Sequence, residues 1–212
     1  DKLIFADVAN SATVANVETI IGGQDNDTVT LATQASNASI DLSAGTDKLT
    51  LANTVNVATV SNVETLLGGS EADTVTLSAA FEMSNSVDLG SGADKLVLGN
   101  FANAGSIANV ETVLGGSSTD ELTVTSQLSA ASIDLGADVD TIKLGNFANS
   151  ATLSNIESIT GGSLADTITI ASQLSEASIN LGSGADTLTL GDFANSATVQ
   201  DVETVVGGTG AD

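Results

Sequence analysis

The chain has 212 residues, 27 of them acidic and 4 basic, giving a formal charge of −23, and it contains no Cys, His, Pro, Trp, Tyr or Arg. Four lysines cannot neutralise a phosphate backbone, which excludes nucleic acid as a partner; no apolar run approaches the roughly 20 residues that cross a bilayer, which argues against membrane insertion. The charge alone suggests disorder, but 42% of residues are hydrophobic, many of them Val, Ile and Leu, and a disordered chain of this charge would be poorer in them.

In chain order, the predicted elements are short alternating runs. Asp27 leads into Thr28-Val29-Thr30-Leu31, and Asp47 leads into Lys48-Leu49-Thr50-Leu51. The same pattern returns along the chain and last appears as Thr187-Leu188-Thr189-Leu190 after Asp186. Period two with β-branched residues predicts strands with one buried face. Second strands are predicted at Ser39-Ile40-Asp41-Leu42, Ser86-Val87-Asp88-Leu89, Ser132-Ile133-Asp134-Leu135 and Ser178-Ile179-Asn180-Leu181. Further ones fall at Ala58-Thr59-Val60 and Val63-Glu64-Thr65-Leu66-Leu67. No stretch sustains a 3.6-residue period, so the chain reads as all-β.

Two periods are nested. The Asn-Val-Glu-Thr motif at 16–19 returns at 62–65 and 109–112, then as Asn155-Ile156-Glu157-Ser158 and Asp201-Val202-Glu203-Thr204. These define 46-residue repeats near 16–61, 62–108, 109–154 and 155–200, with a partial one at 201–212. The aspartate before the strand recurs at 1, 27, 47, 73, 94, 120, 140, 166, 186 and 212, in steps of 26 and 20 or 21 residues. Units this short cannot bury an apolar face alone, and stacking solves the problem. The expectation is one parallel β-solenoid domain, a slice of a longer repeat array, with about nine coils of alternating 26 and 20 residues. All the aspartates then lie on one edge. Phe101, Phe147 and Phe193 take one equivalent position and read as core or corner fillers.

A column of stacked carboxylates repels itself, and a divalent ion between adjacent loops would turn that repulsion into a bond. Calcium suits it, because it takes carboxylate and carbonyl oxygens in flexible geometry. The glycines are expected to let the backbone turn and bring carbonyls inward. The other reading is that each aspartate makes a turn with nearby amides. Glu18, Glu64, Glu111, Glu157 and Glu203 form another acidic ladder, as do Asp41, Asp88 and Asp134, and both read as solvated strand faces.

The stretches Gly182-Ser183-Gly184-Ala185-Asp186-Thr187-Leu188-Thr189-Leu190 and Gly22-Gly23-Gln24-Asp25-Asn26-Asp27-Thr28-Val29-Thr30 resemble the nonapeptide of RTX, or hemolysin-type, calcium-binding repeats. The resemblance covers essentially the whole chain in degenerate form. It implies a right-handed parallel β-roll with calcium (Ca2+) held by Asp27, Asp47, Asp73, Asp94, Asp120, Asp140, Asp166, Asp186 and Asp212, and by loop carbonyls near Gly23, Gly69, Gly90, Gly136 and Gly182. This chain departs from the family, whose nonamers run in tandem and line both edges of an 18-residue coil. Here the motif comes once per 20 or 26 residues, so calcium is expected on one edge only. Short-segment loops have Gly45, Gly92, Asp138 and Gly184 two places before the aspartate, where the family has its third glycine. Long-segment loops have Asp25, Glu71, Ser118 and Leu164 there, and only Gly210 restores the glycine; Leu164 cannot coordinate through its side chain, so its loop is among the weaker candidates.

Nothing equips the chain as an enzyme, since nucleophile–base pairs lack their usual His, Cys or Tyr. The function expected is a calcium-stabilised structural region at the bacterial surface or outside the cell: an adhesin stalk, surface-layer component or fibre. Copies could associate end to end or side by side. One alternative is the calcium-binding secretion tail of an exported enzyme or toxin. Another is ice binding through outward Thr28/Thr30, Thr74/Thr76, Thr167/Thr169 and Thr187/Thr189 rows, against which Lys48, Lys95, Glu121 and Lys143 interrupt the face.

Overall fold

A computed structural model describes all 212 residues and contains only strands, turns and loops, with no helix. The chain forms two compact units, Asp1–Gly99 with Ala104–Val110, and Asn100–Asn103 with Glu111–Asp212. Each is a parallel β-solenoid.

The first unit contains β1 (Lys2–Ile4), β2 (Ser11–Val14), β3 (Thr19–Ile21), β4 (Thr28–Leu31), β5 (Ser36–Asp41), β6 (Lys48–Thr50), β7 (Val57–Ser61), β8 (Thr65–Gly69), β9 (Thr74–Leu77), β10 (Ser86–Gly90), β11 (Lys95–Val97) and β12 (Ala104–Ala108). Its odd strands make one sheet and its even strands the other, each strand pairing with the one two places along. The second unit contains β13 (Thr112–Gly116), β14 (Glu121–Val124), β15 (Ser129–Gly136), β16 (Thr141–Lys143), β17 (Ser150–Ser154), β18 (Ser158–Thr160), β19 (Thr167–Ile170), β20 (Ala177–Asn180), β21 (Thr187–Thr189), β22 (Ala197–Gln200) and β23 (Thr204–Val206), sorted in the same way.

One coil is therefore two strands and two turns. Register partners are 17, 20 or 21 residues apart, as in Lys2 with Thr19, Thr19 with Ser39 and Ser36 with Val57. The expected 26-residue coil does not exist. Asp47 is followed one coil later by Glu64 and not by Asp73, because Lys48 pairs with Thr65. The glutamate motif opens a coil of its own, and the remaining residues carry the chain half a coil further, across to the other edge.

A 46-residue repeat accordingly spans five strands, or two and a half coils. Asn10, Asn56, Asn103, Asn149 and Asn195 open equivalent repeats, just before β2, β7, β12, β17 and β22 or one residue earlier, so within each unit successive repeats begin on opposite edges. The core follows from the period-two pattern. In the first unit, Ile20, Ile40 and Val60 stack in register on one sheet, facing Val29, Leu49, Leu66, Val87 and Ile107 on the other. All are buried. Each such side chain contributes about 1.5–3 kcal/mol by leaving water. In the second unit the ladder Leu122, Ile142, Ile159, Ile179 does the same.

Two side-chain expectations are refined by this topology. Of the core and corner readings, Phe101, Phe147 and Phe193 take the corner one, about two-fifths exposed. Phe147 and Phe193 lay their rings against Gly145 and Gly191, where a Cβ would come within 2.9 Å of the ring. Thr28/Thr30 and Thr74/Thr76 fall in opposite sheets, so the threonine pairs do not form a single row; only Thr167/Thr169 and Thr187/Thr189 are register neighbours.

Candidate functional site

The glycine–aspartate loops form the turns between strands. Asp27 and Asp47 lie on one edge of the first unit, before even strands, and Asp73 and Asp94 lie on the other, before odd strands. In the second unit Asp120 and Asp140 share one edge and Asp166 and Asp186 the other. The expectation of one aspartate edge is thus corrected: the half-coil step deals the aspartates out in pairs to alternate edges. All eight are at most 2% exposed, whereas Asp212 is exposed.

Buried carboxylates need partners, and here the partners are amides of the neighbouring coil. The column on the second unit's odd edge shows the pattern. Asn149 accepts the Leu128 N–H at 3.1 Å and donates its own backbone N–H and Nδ2 to Asp166 Oδ1, at 3.0 and 2.9 Å. The Asp166 N–H donates to Asp186 Oδ1 at 2.7 Å, and the Asp186 N–H donates to Glu203 Oε2 at 2.7 Å. The same Asn–Asp–Asp–Glu sequence runs through Asn10, Asp27, Asp47 and Glu64. It runs again through Asn103, Asp120, Asp140 and Glu157. Asn56, Asp73 and Asp94 follow it as far as the Asp73 N–H on Asp94 Oδ1 at 2.6 Å.

Within a column the two aspartates are not equivalent. The first also receives the N–H of the glycine four residues earlier on its Oδ2: Gly23 to Asp27 at 3.0 Å, Gly69 to Asp73 at 3.2 Å and Gly162 to Asp166 at 3.4 Å. Asp212 has the same pair of partners, Asn195 Nδ2 and the Gly208 N–H. N–H donors thus occupy both oxygens of these carboxylates, an arrangement that repels a cation. Asp47, Asp140 and Asp186 have one donor each, and their Oδ2 is buried with no hydrogen-bond partner. This donor set, a buried anionic oxygen without a proton donor, fits a hard cation. Asp120 stands between the two classes: two donors from Asn103 hold its Oδ1, while its Oδ2 has no hydrogen-bond partner.

Burial also shifts the carboxyls that keep a bare oxygen. Burial pushes the Asp140 carboxyl up to about 6; the Asp120 N–H opposes this, and the charges of Asp120, Glu157 and Asp138 reinforce it. Asp47 and Asp186 are raised by burial too, with Glu64 and Glu203 among the repelling charges. Asp120 is raised by burial, with its hydrogen bonds from Asn103 and the nearby Gly116 N–H pulling the other way.

The glycines act through clearance more than through carbonyl presentation. A Cβ on Gly22 would lie 2.1 Å from the Leu42 carbonyl oxygen, and one on Gly161 2.2 Å from that of Leu181, so the paired glycine lets coils approach. The carbonyls of Gly23, Gly69 and Gly162 accept N–H donors from Ala44, Ser91 and Ser183 on the next coil. Gly90, Gly136 and Gly182 have φ of 88°, 99° and 88°. Their N–H groups donate to Asp88, Asp134 and Asn180.

Both acidic ladders reach solvent, with Glu18 and Glu203 exposed and the rest half-buried, but members of each also accept hydrogen bonds. The Glu64, Glu157 and Glu203 carboxylates each receive a backbone N–H from the preceding coil. Oδ1 of Asp41, Asp88 and Asp134 accepts Nδ2 of Asn62, Asn109 and Asn155 at 2.7–2.8 Å. Those asparagines have φ of 52–53°, which the motif's opening residue must adopt to turn the corner. The asparagines at the head of each column, buried at Asn56, Asn103 and Asn149, were missed by sequence reasoning, although their 46- or 47-residue spacing was visible in it.

No group of three or more acidic side chains converges where it could hold a metal ion. Any cation here would therefore rest on one or two carboxylates, with carbonyls and water completing its shell. Comparison with protein-family models, with curated proteins and with solved structures returns no match.

Proposed function

We propose that this chain is a calcium-stabilised structural repeat region working outside the cell, at a bacterial surface, as a stalk, layer or fibre element. The observation that carries the reading is the set of buried aspartate oxygens without a donor at Asp47, Asp140 and Asp186. At neutral pH a fold that leaves anionic oxygens dry and unpaired is incomplete, and a divalent cation completes it.

Coil geometry adds support. Coils of 17 to 21 residues with turns on both edges resemble the RTX β-roll more closely than the 20- and 26-residue coils expected from sequence. The net charge of −23 opposes folding without metal, which suits a chain that stays unfolded where calcium is scarce and folds where it is plentiful. A solenoid gains length by adding units, which suits a spacer.

The test is a calcium titration of metal-free protein followed by far-UV circular dichroism, with magnesium as control. The expected result is a cooperative, calcium-specific gain of β structure. A β spectrum indifferent to both calcium and chelator would end the cation reading and leave the aspartates as turn residues.

A further inference from the structure

The columns narrow the cation reading to particular pairs of residues. Resting on that reading, we infer that each ion is held by two carboxylates one coil apart, an aspartate and the glutamate 17 residues after it: Asp47 with Glu64, Asp140 with Glu157, and Asp186 with Glu203. The first aspartates of these columns, Asp27, Asp120 and Asp166, take no ion. Asp27 and Asp166 have both oxygens occupied by N–H donors. Asp120 has no glutamate 17 residues on, where Ala137 stands. The ligand class is a hard divalent cation of calcium size.

Three observations converge on these pairs. The aspartate in each is buried and its Oδ2 has no partner. The glutamate carboxylate is brought to that same aspartate, because its Oε2 accepts the aspartate's own backbone N–H at 2.6, 2.9 and 2.7 Å. The register makes the juxtaposition structural: Lys48 pairs with Thr65, Thr141 with Ser158 and Thr187 with Thr204, on strands about 4.8 Å apart, and each aspartate and glutamate is the residue that leads into one of those paired strands. No lysine forms an ion pair with any of the six carboxylates.

Chemistry then sets the character of the site. Two carboxylates balance one divalent charge. The aspartate oxygen lies inside while the glutamates are half-buried or exposed, so an ion has a route in from solvent. With only two charged ligands, the remaining oxygens come from carbonyls and water, and the affinity falls in the range of about 0.1–1 mM found in extracellular calcium modules. Glutamate in this role lies outside the glycine–aspartate motif altogether; it comes from the Asn-Val-Glu-Thr segment.

The experiment replaces all three glutamates by glutamine, E64Q/E157Q/E203Q. Glutamine keeps an oxygen to accept the aspartate N–H, so the hydrogen-bonded column survives while the charge is lost. Calcium titration by circular dichroism and bound calcium by equilibrium dialysis are compared with wild type and with E121Q/E176Q, which alters exposed glutamates elsewhere. The expected result is a midpoint raised about tenfold or more, with three fewer ions bound per chain, and an unchanged control. A triple variant with the wild-type midpoint and stoichiometry overturns the pairing while leaving the cation reading intact. Failure of the wild type to bind calcium overturns both. A spectrum at saturating calcium checks that the variant folds, and the single change E203Q, at an exposed position, gives the same comparison should the triple variant not fold.

Discussion

Asp27 and Asp47 stand one coil apart on the same edge, in the same place relative to the strand that follows, and both are buried. Yet N–H groups surround the first, and the second keeps a bare oxygen. The difference comes from their neighbours. Asn10 stands one coil before Asp27 and supplies two donors, while the coil before Asp47 offers only the Asp27 backbone N–H. A shared motif letter therefore serves two roles: closing a turn, and holding out an anionic oxygen that a cation can use. Charge alone would not separate them; counting donors does.

The strongest test of this contrast is to remove a first aspartate. Asp166→Ala leaves the backbone N–H groups of Asn149 and Gly162 without their acceptor, and a buried donor without a partner costs about 1–3 kcal/mol. The expected loss is about 3–5 kcal/mol in urea unfolding, the same with calcium as with chelator. A loss seen only with calcium would make Asp166 a ligand and erase the distinction. Gly22→Ala comes next, at about 2–3 kcal/mol, since its Cβ would meet the Leu42 carbonyl at 2.1 Å and the coils would have to separate.

A second aspartate should respond with the opposite sign. Asp140→Asn keeps an oxygen for the Asp120 N–H and removes a charge that burial and neighbouring carboxylates disfavour. In chelator at pH 7 the variant should be about 1–2 kcal/mol more stable than wild type, after allowance for solvent screening, and it should gain less from calcium. Equal calcium stabilisation of variant and wild type would sink the assignment.

Acid offers a gentler probe of the same contrast. The folded Asp140 carboxyl has its pKa raised to about 6, above its unfolded value, so the folded state takes up a proton first. Its stabilising contribution in chelator is complete below the unfolded pKa and is lost as pH rises through about 6. Metal-free protein should therefore melt several degrees higher near pH 4.5 than at pH 7.5, and calcium should reverse that order. A metal-free melting temperature that climbs with pH would contradict it. Smallest of all should be Leu164→Ser. That side chain is half exposed at a loop tip, and a change within about 0.5 kcal/mol is expected in thermal unfolding, with the calcium midpoint unmoved.

Much of the architecture was legible in the chain because period-two runs such as Thr28-Val29-Thr30-Leu31 admit one buried face and the repeat demands stacking. The coil length was not. Following a single letter, aspartate, hid the fact that Glu64 stands where the next aspartate of the column would be, one coil after Asp47. A carboxylate one methylene longer accepts the same N–H, so the ladder continues under a different name. Asn56 and Asn149 were equally easy to pass over, because an amide at a turn looks ordinary until its burial and its four or so hydrogen bonds are seen together. The paired glycines were noticed for flexibility, whereas Gly22 is needed because nothing larger fits against the neighbouring carbonyl.

A repeat of five strands is odd in a structure whose coil has two. Within either unit, deleting one 46-residue repeat would preserve every strand-to-strand bond type and still move each later loop to the opposite side. Deleting two would restore it. Gene rearrangements that lengthen or shorten such an array thus obey a parity rule: even changes conserve which side carries a given surface, and odd changes exchange the two. Anything presented on one side alone would be inherited only in multiples of two repeats.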